Sequence, residues 1–279
     1  MKKSLLTALA LLFILVFTSC GSSSSTTTYS IGGTLSGLIS GLTITLQNNS
    51  GNDLSPTANG SFTFTTKLAN AATYSVAVST QPANMTCTVT NGSGTISSAD
   101  VSNIAVACVY TNKIIFITNT TTTGNIGSIA AADAICMADA NKPADAATYK
   151  AMIVDGTSRV ACTTPFYACA AGDHVDWVMA ASTAYYRSDA TTLIATTNSS
   201  GIFDLSASNV LTNSFSSVFY DIWTGMAGDW TTGDTCSKWA TGDVSTNGAI
   251  GATDKTNSQA IFVVPTPCNA AKYLACVAQ

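Results

Sequence analysis

The chain has 279 residues, a formal net charge of −4 and only 9% charged residues, and all of its acidic residues are aspartates. Long surface helices usually draw on Glu, Lys and Arg, so this composition disfavours them and favours strands and loops. Because Lys and Arg are scarce and not clustered, a basic surface for nucleic acid is excluded. The single histidine leaves little room for metal or general-base chemistry.

The first residues have the pattern of an export signal. Two lysines precede an apolar run, Leu5–Phe17, which is too short to span a bilayer as a mature helix. Cys20 follows small residues and stands where a bacterial lipoprotein signal places its lipidated cysteine. We therefore predict a signal peptide at residues 1–19, and a lipidated Cys20 that begins a flexible tether over residues 20–28. The alternative is an ordinary secretory signal.

Residues 29–111 alternate apolar and polar side chains, as in the stretch SFTFTT, and Asn-Gly pairs interrupt the alternation. Such a pattern predicts short antiparallel strands joined by tight turns, which form an all-β sandwich. Cys87 and Cys108 both fall among the apolar positions, so a disulfide between them fits the interior. The region resembles the immunoglobulin-like or transthyretin-like spacer modules of bacterial surface proteins, and the resemblance implies a spacer.

Residues 113–279 form the second predicted domain. The predicted elements are a strand at 113–118, a helix from Ser128 to about residue 140, a strand at 149–154 and closing strands at 261–264 and 273–277. Turn-forming residues fill the stretches between them, so the domain is expected to be rich in loops.

Apart from Cys20, the chain has eight cysteines, and an even number in an exported chain favours four disulfides. Cys162 and Cys169 are separated by a short loop that contains a proline, so they are close enough to pair. The residues alone leave open how the other four pair: Cys136, Cys236, Cys268 and Cys276. Zinc ligation is disfavoured because no C-x2-C spacing occurs.

The segment Asp221–Ala240 combines three tryptophans with glycines and aspartates, which predicts an irregular loop pinned into a core. We expect core positions for three indoles: Trp177, Trp223 and Trp239. The candidate ligand-contact residues are Asp229, Trp230 and Asp234. Trp230 is expected to be an exposed anchor for a partner, and the alternative is that it packs beneath its own loop. The aspartates of this region could ligate calcium, but their spacing matches no known calcium-binding loop.

Five sequence blocks occur in order within residues 113–279: KIIFIT, GNIGSIAAADAIC, TYKAMIVDGTSR, WTGMAGDWTTGDTCSKWA and CNAAKYLACVAQ. In these blocks the region resembles the bacterial endostatin-related domains of C-type-lectin-like fold, which occur in surface lipoproteins. The resemblance implies an α+β, loop-rich, disulfide-stapled fold, and it implies the pairs Cys136–Cys276 and Cys236–Cys268. It also implies binding of a host macromolecule as a class of activity. The calcium-ligand triplets of sugar-binding relatives do not occur, so calcium-dependent sugar binding is not expected.

These patterns favour a bacterial envelope lipoprotein, in the outer membrane and exposed at the surface, that binds a host or environmental macromolecule without calcium. We expect no enzyme activity, cofactor, metal or nucleic-acid partner. The expected partners are the membrane, through the lipid, and a matrix or serum protein. The alternative is a structural envelope lipoprotein without an external ligand. A third hypothesis is a hydrolase that uses His174, although no nucleophile motif accompanies this histidine in the sequence.

Overall fold

A computed structural model describes residues 26–165, 167–206 and 209–279. The signal peptide, the lipidated Cys20 and the first part of the tether lie outside these residues, so their predictions stay predictions. Within the described ranges, no helix is long and apolar enough to cross a membrane.

The first ten strands lie between residues 28 and 110. They are β1 (Thr28–Tyr29), β2 (Ile31–Ser36), β3 (Thr45–Asn48), β4 (Gly51–Leu54), β5 (Gly60–Thr63), β6 (Leu68–Ala69), β7 (Thr73–Thr80), β8 (Met85–Thr90), β9 (Ser93–Thr95) and β10 (Val101–Tyr110). Two four-stranded sheets have the orders β5-β2-β10-β8 and β4-β3-β7-β9, and β1 pairs with β6. The apolar positions of the alternating pattern enclose one hydrophobic cluster between these sheets.

The prediction that all of these strands pair antiparallel is wrong for one pair. Strands β2 and β10 run parallel, with Ile104 opposite Gly33, whereas β10 and β8 are antiparallel. A tight turn cannot join parallel neighbours, and here the intervening chain passes through the other sheet before it returns as β10. Cys87 and Cys108 lie opposite each other on β8 and β10 and form a disulfide.

Eight further strands and one regular α-helix lie between residues 113 and 278 of the described chain. They are β11 (Lys113–Ile117), α1 (Ile129–Ala138), β12 (Tyr149–Ala151), β13 (Ala184–Arg187), β14 (Leu193–Thr196), β15 (Asp221–Trp223), a helical turn α2 (Cys236–Trp239), β16 (Asn247–Ala252), β17 (Val264–Pro267) and β18 (Ala275–Ala278), with short 3-10 turns at Ala171–Asp173 and Ser258–Ala260. The sheet orders are β12-β18-β11-β13-β14 and β15-β16-β17. The predicted strand at 261–264 is wrong, because β17 begins only at Val264.

The central strands β11 and β18 are buried on both faces. Ile115 and Ile117 of β11 face one hydrophobic cluster, and Ile114 and Phe116 face a second. A strand between two cores needs apolar side chains on both faces, which explains why the four residues after Lys113 form a continuous apolar run without alternation.

The prediction of an α+β fold of C-type-lectin or endostatin type for residues 113–279 is wrong. In the part of the chain that the structure describes, the regular structure is mostly β-strand in several small sheets, and only 8% is helical. Apart from α1, the apolar residues occur in short groups, most of them between Gly, Thr and Asn. Groups of that length are too short to form a stable helix, so they bury as short strands and loops.

The prediction of a disulfide-bonded chain is confirmed. Besides Cys87–Cys108, the bonds join Cys136 of α1 to Cys276 of β18, Cys162 to Cys169, and Cys236 to Cys268. The Cys136–Cys276 bond spans 140 residues and so connects the first helix of this region with its last strand.

The turn α2 has a left-handed backbone. All four of its residues have positive φ, and Ser237 and Lys238 have φ of 53° and 61°. This conformation costs an L-residue about 1–2 kcal/mol. Both ends of the turn are fixed: Cys236 is bonded to Cys268, and the Trp239 indole Nε1 donates to the carbonyl of Val154 at 2.8 Å. Burial of these two side chains therefore holds a backbone that its sequence disfavours.

Replacing Ser237 by glycine is expected to stabilise the protein by about 1 kcal/mol, because glycine has no Cβ penalty at positive φ. Ser237 is exposed, so no packing is lost. Urea denaturation of the oxidised protein measures the change. The control is Ser199→Gly at another exposed serine, whose φ is not positive. There a loss of about 0.5–1 kcal/mol is expected, and a loss at Ser237 as well would contradict the left-handed turn.

Candidate functional site

The tryptophan-rich segment lies in the interior. Trp223, Trp230 and Trp239 have no exposed surface, so the prediction of an exposed anchor at Trp230 is wrong. Its Nε1 donates to the carbonyl of Phe203 at 3.1 Å, and its ring packs against Trp177 at 5.9 Å between centroids. The indole finds both an apolar environment and a hydrogen-bond partner beneath its own loop, which is the more stable arrangement for so large a side chain.

Three further indoles, those of Trp177, Trp223 and Trp239, hold this segment in place by ring packing and hydrogen bonds. Trp223 and Trp239 lie 5.8 Å apart between ring centroids, and Trp223 Nε1 donates to the carbonyl of Thr122 at 2.8 Å. Trp177 is partly buried and donates to the carbonyl of Gly201. The segment is therefore a scaffold for the loops around it.

The predicted contact residues Asp229, Trp230 and Asp234 do not form one surface. The Asp229 carboxylate accepts hydrogen bonds from the amide and hydroxyl of Thr231, whereas Asp234 is exposed and Trp230 is buried. In the described ranges, the acidic, histidine and cysteine side chains close enough to share a metal ion are Cys162, Cys169 and Asp173. Their two sulfurs form a disulfide, so they offer no thiolate.

His174 is held by the backbone on both sides of its ring. Nδ1 faces the carbonyl oxygen of Ala161, and Nε2 faces the carbonyl oxygen of Ser200. A general base needs a free ring nitrogen within reach of its substrate. Both nitrogens are occupied here, and this geometry ties the loop that contains the Cys162–Cys169 disulfide to the loop at Ser200.

An open cleft of about 350 Å³ lies elsewhere, at one end of the five-stranded sheet. Strands β11 and β13 are parallel, so the residues that follow them emerge at the same edge. Asn119 follows β11, and Ser188 and Asp189 follow β13. Strand β18 runs antiparallel to β11, which brings Tyr273 to this edge from the opposite direction. The loop 215–217 and Tyr220 close the remaining side.

Arg187 gives the cleft its cation. Its Nε donates to the carbonyl of Ser214 at 2.8 Å, and Nη2 donates to the Ser214 hydroxyl at 2.9 Å. Its Nη1 makes no hydrogen bond to any described residue, and Arg187 forms no salt bridge among them. The guanidinium is thus fixed in position by one edge while donor capacity remains.

Asp189 supplies an acceptor in the same cleft. Its Oδ1 accepts the backbone amides of Thr191 and Thr192, and Oδ2 accepts the Thr192 hydroxyl at 2.6 Å. Partial burial works to raise the pKa of Asp189, but these hydrogen bonds outweigh it and lower the pKa below 3.8. The group is therefore a carboxylate at neutral pH. Oδ1 already accepts two hydrogen bonds, so the remaining acceptor site is the second lone pair of Oδ2.

Two tyrosines form the aromatic part of the cleft. The rings of Tyr220 and Tyr273 meet edge to face, 4.8 Å apart between centroids and at 62°. Both side chains are partly buried, and neither hydroxyl is bonded to another described residue. Next to them, Val218 and Phe219 are 52% and 57% exposed, so apolar side chains continue from the cleft onto the surface.

A second charged cluster of this domain is centred on a buried arginine. The side chain of Arg159 has no exposed surface and forms salt bridges with Asp133 at 2.8 Å and Asp176 at 2.6 Å. It also donates to the carbonyl of Ala151 at 2.8 Å. Burial alone lowers the pKa of Arg159, but the two aspartates outweigh this and raise it. These contacts join helix α1, strand β12 and the loop at Asp176.

Residues 119–257 match a family described as "Protein of unknown function (DUF1554)". The matched range includes Arg187, Asp189 and Tyr220, and it excludes β11 and Tyr273. A comparison with curated proteins gave no match. The family description states no activity, so the relationship to endostatin-related proteins stays a prediction.

No pattern in the sequence indicates the cleft. Its residues come from five separate segments of the chain, and no local motif joins them. One signal was present: Arg187 is one of only two arginines in the chain. Arg159 forms salt bridges with Asp133 and Asp176, whereas Arg187 has no acidic partner among the described residues.

Proposed function

We propose that the chain is an exported, lipid-anchored binding protein that holds an external macromolecule at the cleft. The observation that carries this proposal is the fixed Arg187 guanidinium, whose Nη1 is unused by the described residues, in an open cleft of about 350 Å³. A preformed concave site with a few oriented polar groups is the usual form of a binding site. The proposed role is non-enzymatic and does not depend on calcium.

The exposed pair Val218 and Phe219 supports a macromolecular ligand. A small molecule would fill the cleft alone, but these two side chains stand beside it and extend the available surface. Exposed aromatic residues next to a pocket are typical anchors in protein interfaces. Together, the cleft and this pair define the recognition face.

His174 gives no support to a hydrolase, since its ring nitrogens both face backbone carbonyls. A structural envelope lipoprotein remains the alternative function. It differs from the proposal in one respect that an experiment can measure: it needs no ligand from outside the envelope.

Replacing Phe219 by serine is expected to weaken binding about tenfold or more, as for truncation of an interface anchor. The oxidised, exported chain would be tested against immobilised matrix glycoproteins and serum glycoproteins. The matched control is Val244→Ser, at an apolar side chain that is 64% exposed and whose neighbours in sequence do not line the cleft, unlike Tyr220 beside Phe219. Equal loss in both variants would contradict the proposed face. A complete absence of binding by the parent chain would favour the envelope component.

A further inference from the structure

We propose that the cleft takes a neutral saccharide unit, such as a terminal hexose of a glycan, without calcium. This inference rests on the proposed binding function and names the chemistry of its ligand. A volume of about 350 Å³ is at the lower end for small-molecule sites, about 300–1000 Å³. The cleft therefore accepts one ring-sized unit, and the rest of a larger ligand would extend over Phe219.

The polar lining offers donors and acceptors together. Arg187 Nη1 is a donor, the Asp189 carboxylate is an acceptor, and the Asn119 amide provides both. The Asn119 side chain makes no hydrogen bond to any described residue, since only its backbone amide is bonded, to Asp139. A sugar hydroxyl donates and accepts at the same time. A polyol can use this mixed lining fully, whereas a carboxylate uses only donors and an ammonium group uses only acceptors.

The tyrosine pair supplies a surface for a sugar ring. Tyr220 and Tyr273 are edge to face, so the face of one ring is not stacked against the other. Aromatic faces carry negative charge density and attract the weakly positive C–H bonds of an aliphatic ring. A saccharide has such a C–H face on one side and hydroxyls around its rim, which matches aromatic rings beside polar groups.

The charges favour a neutral ligand. Arg187 is the only Lys or Arg among the cleft residues, and Asp189 lines the same cleft. The chain as a whole has a net charge of −4. An anionic polysaccharide needs a cluster of cations to offset this field, and the cleft has a single one. The one guanidinium is therefore assigned to hydrogen bonding with hydroxyl groups.

The test uses the oxidised full chain and a glycan array with neutral and anionic members, together with peptides that end in a free carboxylate. Calorimetric titration with methyl hexosides, with and without EDTA, measures the free unit. We expect binding to neutral glycans that EDTA does not change. Asn119→Ala and Arg187→Met should each weaken it about tenfold, the effect of a lost hydrogen bond to a ligand.

Asn269→Ala is the matched control for Asn119→Ala, because it changes an exposed asparagine away from the cleft. It should leave binding unchanged, and circular dichroism would show that all variants fold. Preference for anionic glycans or peptide carboxylates would overturn the saccharide assignment. Equal sugar binding by the Asn119 variant and the parent would also overturn it. If Phe219-dependent macromolecule binding persists without any sugar binding, the saccharide inference fails and the proposed function stands.

Discussion

Replacing Cys136 and Cys276 together by alanine is expected to lower the free energy of unfolding by about 5 kcal/mol. The bond spans 140 residues, so it constrains almost the whole C-terminal region in the unfolded state. Both cysteines are fully buried, at the contact between helix α1 and the central sheet. A loss of this size is a large part of the total stability of a typical domain, about 5–15 kcal/mol.

The matched control is the double replacement of Cys162 and Cys169, whose bond spans only 7 residues. The chain-entropy relation gives about half the effect for so short a loop, about 2.5 kcal/mol. Both double variants remove the same atoms, so the difference between them isolates the length of the closed loop. Guanidinium denaturation under oxidising conditions measures both. Equal losses would show that local packing, and not loop closure, determines the effect.

The elements that the sequence predicted are those that depend on local signals. The four residues of β11 after Lys113 are all apolar because the strand lies between two hydrophobic clusters, and a continuous run carries this information locally. The start of α1 was predictable in the same way, since the Ser128 hydroxyl accepts the amide of Ala131 as an N-cap. Each of these features depends on neighbours within a few residues.

The features that the sequence did not predict depend on distant contacts. Nothing near Trp230 indicates that Phe203 provides a carbonyl for its indole. The turn α2 is left-handed without a glycine, so the usual signal for positive φ is missing. The cleft needs the parallel pairing of β11 with β13, which brings Asn119 and Asp189 to one edge although they are far apart in sequence.

Replacing Arg159 by methionine is expected to destabilise the protein by about 3–5 kcal/mol. Methionine fills much of the space of the arginine stem, so the loss comes mainly from the guanidinium. Its removal leaves the carboxylates of Asp133 and Asp176 without their shared partner, and it takes a donor from the carbonyl of Ala151. The two carboxylates are 22% and 42% exposed, so solvent offsets part of this cost. Urea denaturation at neutral pH measures the change.

The conservative control is Arg159→Lys, which keeps the charge but offers its three donors from a single nitrogen, whereas the guanidinium donates to both aspartates and the carbonyl of Ala151 from three nitrogens. The Arg159→Lys variant should therefore lose an intermediate amount of stability. Full retention of stability would contradict a requirement for the planar guanidinium group.

Acid titration tests the same cluster independently of packing. Burial acts to raise the pKa of Asp176, but hydrogen bonds from Lys150 and Arg159 outweigh it and hold the pKa below 3.8. A carboxyl whose pKa is lower in the folded state contributes stability above pH 3.8, and this contribution is lost as the pH falls through the folded value. In the Arg159→Met variant, the stability that is lost on acidification below pH 4 should be smaller, because only Lys150 still pairs with Asp176. A variant with the parent's acid dependence would show that Arg159 does not set the ionisation of Asp176.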